Sequence, residues 1–198
     1  AASGCWSEFR VKHYDDSSTS PEGASLSCTA ATPDGLAIAG TAGGRLALLD
    51  PRSGQVVHSW RTVVPGGSCA AITSVAPGPA GSSLLLSASA DSVVRLWDLR
   101  MAAATSDPMR APGSVHQWRC ASPAAGLHTL GAQALCYAGA QVGVLQLQAP
   151  YSGGFRAVRR RASSKGQTRD AAIAGISVLP HSQLLLVGSE DGQIRICV

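Results

Sequence analysis

Charge is scarce in this chain of 198 residues: Asp, Glu, Lys and Arg make up 14% of it, against about a quarter in an average soluble domain. Aromatic residues are only 5%. No apolar run approaches the ~20 residues that a membrane helix needs, and no cleavable signal pattern opens the chain. Helical periodicity is nearly absent. Six cysteines stand at positions 5, 28, 69, 120, 136 and 197, with no Cys-x-x-Cys pair and no Cys/His cluster at zinc spacing. Several lie inside apolar runs, where free Cys behaves as a small hydrophobe. A reduced, cytoplasmic setting without a disulfide framework is therefore expected. The five histidines, at 13, 58, 116, 128 and 181, pair with no Cys, Ser or carboxylate at an interpretable spacing. No Gly-rich loop joins a strand to a helix as a phosphate cradle requires; Gly43-Gly44 and Gly66-Gly67 belong to turns. These absences argue against an enzyme and leave no cofactor or metal site to propose.

What is present is a repeat. The stretch Leu84–Asp98 reads as two short apolar strands around a polar turn at Ala90-Asp91-Ser92, closing on Trp97-Asp98. Leu184–Val198 repeats it, with Ser189 for Ser89, Asp191 for Asp91 and Arg195 for Arg95. A weaker copy runs Leu36–Asp50, and a shortened one Ala134–Leu147. Aligned on the inner apolar residue of the second strand, the copies fall at Leu46, Val94, Val142 and Ile194, at intervals of 48, 48 and 52 residues. A fixed period with a hairpin in each copy means a repeat architecture. Another apolar run precedes each hairpin, at 26–31, 70–76, 127–130 and 173–179. After the first three hairpins comes an aromatic followed by Arg: Val57-His-Ser-Trp-Arg61, Val115-His-Gln-Trp-Arg119 and Phe155-Arg156. The unit thus has four strands, and His58 and His116 share one repeat position.

Four strands per period with a Trp-Asp ending resemble the WD repeats of a β-propeller. The resemblance implies an all-β fold of about four blades: 24–62, 69–119, 126–160 (degenerate) and 171–198 (lacking its outer strand). Residues 1–14, with Phe9-Arg10, look like the outer strand of a preceding blade. A seven-blade ring needs roughly 280–315 residues, so the chain is expected to be the C-terminal portion of a larger propeller, with the remainder upstream as its first partner. Trp97-Asp98 is the full signature and Leu49-Asp50 a half match; Leu145-Gln146 and Cys197-Val198 depart from it. The Gly-His dipeptide that usually opens a repeat is missing. In the 84–98 unit Ser89, Asp91 and Trp97 match three members of the blade's hydrogen-bond network, without the His. Trp97 is expected between blades, with Leu84, Leu86 and Val94 nearby. Asp91 and Asp191 are read as turn residues that satisfy local N–H groups and tolerate left-handed backbone.

The C-terminal half is more specific. Ile176-Ser-Val-Leu-Pro180 followed by Leu184–Val198 is similar to the end of BEACH-domain WD-repeat proteins that also carry a kinase-like domain. Leu48–Gly54, Ser87–Trp97 and the degenerate unit at Gly139–Leu147 follow in the same order. The resemblance implies a non-catalytic scaffold in endosomal or vacuolar trafficking or autophagy, cytoplasmic or peripheral on endosomal membranes, binding other proteins.

Three segments break the strand pattern. Asp15–Gly23 is acidic and Ser-rich, and Met101–Gly113, with Pro108 and Pro112, should be an exposed excursion. Between positions 156 and 169 lie Arg156, Arg159, Arg160, Arg161, Lys165 and Arg169 with no acidic residue, six of the sixteen basic residues. The other ten face twelve acidic residues, so the rest of the chain has a net charge of −2. Such a run suits an anionic membrane or an acidic partner, with nucleic acid the less favoured ligand. A solvated outer strand guarded by charge is the plainer alternative. Arg160-Arg-Ala-Ser163 resembles a basophilic kinase target, so phosphate on Ser163 would fall among the arginines. Phe155-Arg-Ala-Val158 does not match the Phe-Arg-Arg-Gly motif of phosphoinositide-binding propellers.

Overall fold

A computed structural model describes residues 25–62, 69–103, 114–157, 171–179 and 184–197. The segments expected as a preceding outer strand (1–14) and an acidic loop (15–23) lie outside these residues. So do positions 104–113 of the Pro-containing excursion.

Four antiparallel sheets succeed one another along the chain. The first holds β1 (Leu26–Ala31), β2 (Ala37–Thr41), β3 (Arg45–Asp50) and β4 (Gln55–Arg61) in sequence order. The second holds β5 (Ile72–Pro77), β6 (Leu84–Ser89), β7 (Val93–Asp98) and β8 (His116–Arg119). The third is β9 (Gly126–Leu130), β10 (Gln133–Ala138), β11 (Gln141–Gln146) and β12 (Gly153–Ala157). The fourth is β13 (Ile173–Leu179), β14 (Leu184–Ser189) and β15 (Ile194–Cys197), three strands among the described residues. Every neighbouring pair is antiparallel, as short local connections allow. The apolar runs before the hairpins are the first strands, and the two Val-His-x-Trp-Arg segments lie in or overlap the outer ones.

The sheets stack face to face. Strand β5 lies against β1 and β2, β9 against β5 and β6, and β13 against β10. Middle strands such as β3 and β7 are buried on both faces and read as nearly continuous apolar runs; the outer strand β4 is exposed along its first half. Alternation along each strand then decides which neighbour a side chain meets. Ile38, Leu46 and Trp60 of the first sheet close on Ile72, Leu85 and Trp97 of the second. Leu86, Val94 and Trp118 turn the other way, onto Ala134, Cys136 and Leu145 of the third. Leu135 and Val142 meet Ile176 and Val187 of the fourth. The far side of the fourth sheet leaves Ile194 77% and Ile196 66% exposed.

Side-chain hydrogen bonds join the first strands of neighbouring sheets. The Ser27 hydroxyl donates to the Ile72 carbonyl. Thr73 donates to the Ala124 carbonyl at 2.6 Å, and Ser74 accepts from the Leu127 N–H at 3.1 Å.

Two expectations need correction. Trp97 does lie between sheets, but Leu84, Leu86 and Val94 are on the opposite face of its own sheet. Its cross-strand partner is Leu85, and the Trp60 ring meets it edge-on at 5.9 Å from the preceding sheet. Phe155 is not the counterpart of Trp60 and Trp118. Those two stand opposite Leu46 and Val94, the aligned positions, whereas Phe155 stands opposite Gly143, one residue short of Val142. A one-residue offset turns a side chain to the other face. Phe155 accordingly packs back onto the cluster between the second and third sheets, its ring over Gly143, where an added Cβ would meet ring carbons 2.3 Å away.

Trp97 is 3% exposed and carries contacts from two sheets. Trp97→Ala should cost about 3–5 kcal/mol, as a large-to-small core change. Chemical denaturation checks it: an unchanged midpoint would mean that the two sheets do not depend on this contact.

Candidate functional site

The tight turn between β6 and β7 holds the densest polar cluster among the described residues. Ser92 adopts a positive φ of 63°, at the repeat position where the first and fourth sheets have Gly44 and Gly192. The left-handed residue of this turn is thus Ser92, and Asp91 acts through its carboxylate. Asp91 Oδ1 accepts the Val93 N–H at 3.1 Å and the Ser89 hydroxyl. Arg95, 4% exposed, reaches across the same face of the hairpin. Its Nη1 donates to Ser89 Oγ at 2.6 Å, and its Nη2 pairs with Asp91 Oδ2. Burial works against the Asp91 charge, yet the hydrogen bonds from Arg95 and Ser89 outweigh it and hold the carboxyl below its ordinary 3.8. Guanidinium, carboxylate and hydroxyl thus neutralise one another inside the blade.

The fourth sheet repeats the device in looser form. Ser189 Oγ donates to Asp191 Oδ1 at 2.7 Å, and Asp191 accepts the Gln193 N–H at 3.3 Å. Arg195 stands 3.9 Å from Asp191, both side chains about a fifth exposed. The first sheet has Gly43 in place of the aspartate; there the Thr41 hydroxyl accepts the Arg45 N–H at 3.0 Å.

The indole of Trp97 belongs to a different pair. Its Nε1 donates to Ser87 Oγ at 2.8 Å, in a site where Ser87 is fully buried. Ser87 was missed in the sequence, where Ser89 was grouped with Trp97. The signal was available, since Ser87 and Trp97 lie on one face of a hairpin two positions apart in register. The indole nitrogens of Trp60 and Trp118 find no partner among the described residues.

At the other end of the sheets, Asp50 and Asp98 close the turns after β3 and β7. Asp50 accepts the Arg52 N–H at 2.9 Å and the Ser53 hydroxyl at 3.0 Å. Asp98 accepts the Arg100 N–H at 3.0 Å and pairs with its guanidinium at 2.7 Å. The Arg52 N–H at Asp50, and the Arg100 side chain at Asp98, hold both carboxyls below their ordinary range. The chain then enters a short helix, α1 (Leu99–Ala103). His58 lies against Trp60, and His116 between Trp118 and Tyr151. Burial pushes the His58 imidazole below its ordinary value.

Of the basic run, Arg156 lies in β12, its backbone opposite Val142. Arg159, Arg160, Arg161, Ser163 and Lys165 lie outside the described residues. Among the described residues no three His, Cys, Asp or Glu side chains gather as metal ligands, and no helix is long and apolar enough to cross a membrane.

The two aspartates should separate in acid. Asp91→Asn removes half of a buried ion pair and should cost about 3–5 kcal/mol near neutral pH. Asp191→Asn should cost under about 1 kcal/mol, its pair being long and partly exposed. Because the folded Asp91 pKa is depressed, its contribution is complete above the unfolded value of about 3.9 and is lost as pH falls below it. Melting curves of wild type and Asp91→Asn should therefore begin to approach each other below about pH 4 and meet only once pH has fallen through the depressed folded pKa. Parallel curves down to the acid limit would show that the charge is not what matters.

Comparison with known proteins agrees with this geometry. The family described as WD domain, G-beta repeat matches residues 58–98 and 161–197; the first match joins most of β4 to β5–β7 of the next sheet. Protein GFS12 of Arabidopsis thaliana is 28% identical over 199 residues, covering 98% of this chain and 10% of that protein. WD repeat-containing protein 81 of Danio rerio is 30% identical over 178 residues, covering 86% of this chain and 7% of that protein. The chain thus spans a tenth or less of these relatives. The β-propeller domain of Cps50 (Swd1) from Myceliophteria thermophila superimposes with a TM-score of 0.63 at 20% identity, over 87% of this chain and 51% of that domain. The chain thus carries WD-repeat matches and folds into stacked antiparallel blades, as in part of a β-propeller.

Proposed function

We propose that the chain is a non-catalytic protein-interaction scaffold, working in endosomal or vacuolar trafficking or autophagy within a BEACH-type WD-repeat protein. The observation that carries this reading is where the reactive side chains go. Asp91, Arg95, Ser89, Ser87 and Trp97 bond to one another inside the blade, and Asp50 and Asp98 close turns. What remains for partners is the outer strands and the loops at the strand ends, as on other scaffolds that display binding loops. The trafficking assignment rests on the resemblance of the C-terminal copy to BEACH-domain proteins, with the relatedness to GFS12 and WD repeat-containing protein 81 beside it. Proximity labelling in cells tests it. The wild-type chain should mark endosomal or autophagic proteins, and Trp97→Ala, with its inter-blade core emptied, should lose them. An identical labelled set from both would show that the folded surface is not the binding element.

The charge asymmetry favours a second reading, an anionic membrane as ligand of the 156–169 run. Each basic side chain near such a surface contributes about 1 kcal/mol, so neutralising Arg159, Arg160 and Arg161 together should weaken vesicle binding roughly 100-fold. Phosphate on Ser163 would act in the same direction. Co-sedimentation with phosphatidylserine vesicles at two salt concentrations measures this, and no pelleting of wild type at low salt removes the membrane reading.

A further inference from the structure

The far side of the fourth sheet repeats a face that is covered elsewhere in the molecule. Leu184 and Leu186 of β14, with Ile194 and Ile196 of β15, stand at the repeat positions of Leu84, Leu86, Val94 and Leu96. The pairing is the same, Leu186 opposite Ile196 as Leu86 is opposite Leu96. On the second sheet these side chains pack against Ala134, Cys136 and Leu145 of the third. On the fourth sheet Ile194 is 77% and Ile196 66% exposed, and Leu179, opposite Leu184, is 41% exposed. The second-to-third seam therefore shows what this face fits: a floor of small residues with a leucine beside it.

The first sheet carries that floor on the side turned away from the second. Ala37 and Ala39 of β2 and Leu49 of β3 hold the positions of Ala134, Cys136 and Leu145, with Ala37 opposite Leu49 as Ala134 is opposite Leu145. Over them opens an apolar hollow of about 180 Å³, with Thr29 and Pro51 in its wall. Ala39 and Leu49 are buried at its base, and Leu26 at its rim is 52% exposed. An apolar cavity of about 150 Å³ holds a benzene, so this hollow admits an isoleucine side chain. We propose that the exposed face of the fourth sheet binds the first sheet of a second copy of this chain, and that two copies join head to tail in one closed ring. Burial of the exposed aliphatic side chains drives the contact. The extent of the chain sets the number of copies, because it spans 51% of the propeller domain on which it superimposes. A head-to-tail contact whose rotation closes gives a ring, and one that does not close gives a filament. Two half-rings close with two identical junctions.

Sedimentation velocity of the 198-residue chain across a wide concentration range tests this. A species of twice the chain mass should form, and nothing larger. Ile194→Lys combined with Ile196→Lys should reduce it to monomer, and so should Leu26→Lys on the opposite face. All three positions are exposed, so circular dichroism should show unchanged strand content. Mixing the two variants should restore a dimer. One junction then joins the intact fourth sheet of the Leu26→Lys copy to the intact first sheet of the other. A Leu26→Lys chain that stays dimeric would point to a contact between two fourth sheets and overturn the proposal, as would no recovery on mixing. Assemblies larger than a dimer would overturn ring closure. A monomeric wild type would overturn the second copy as occupant and assign the face to a blade of different sequence.

Discussion

Everything in this molecule depends on sheet faces that cannot be left in water. The middle strands of these antiparallel sheets are apolar on both sides, and where two sheets meet the facing sides are buried against each other. The Trp60–Trp97 contact is the clearest instance. The outer strand of one blade delivers a ring to the third strand of the next, edge-on at 5.9 Å. A buried Trp removes on the order of 200 Å² from water, which at about 25 cal/mol per Å² outweighs any single hydrogen bond in the blade. Trp118 has the same role at the following seam, against Leu145. Low charge and abundant small residues follow from this arrangement, because most positions face another sheet.

Burial also explains what became of the polar signature. An arginine at 4% exposure is stabilised by a carboxylate, and the buried Trp97 N–H by an acceptor. Asp91 and Ser87 supply them. Where the fourth sheet is more exposed, the Asp191–Arg195 pair relaxes to 3.9 Å. One sequence motif thus gives a tight ion pair or a loose one according to how dry its surroundings are. It also leaves the motif committed to architecture, with partner binding left to the periphery.

The strand pattern, the hairpin period and the turn positions were legible before any coordinates, because a two-residue alternation and Gly, Asp and Ser turn chemistry act over a few neighbours. The Val-His-x-Trp-Arg copies marked two outer strands on the same grounds. Phe155 was misread because it stands one residue out of step with Trp60 and Trp118, and one residue of register reverses the face a side chain presents. Ser87 was overlooked in favour of Ser89 because both are small hydroxyls beside the same hairpin; which one meets the indole depends on the pairing of Leu85 with Trp97.

The sequence by itself determined four hairpin units and their local hydrogen-bonding turns, since those interactions join residues close along the chain. Only the tertiary structure decided which sheet each face meets. Trp97 turned out to look toward the first sheet and Val94 toward the third. Alternation says that a strand has two sides. Which neighbour covers each side is set by stacking whole sheets, and that is a property of contacts distant in sequence.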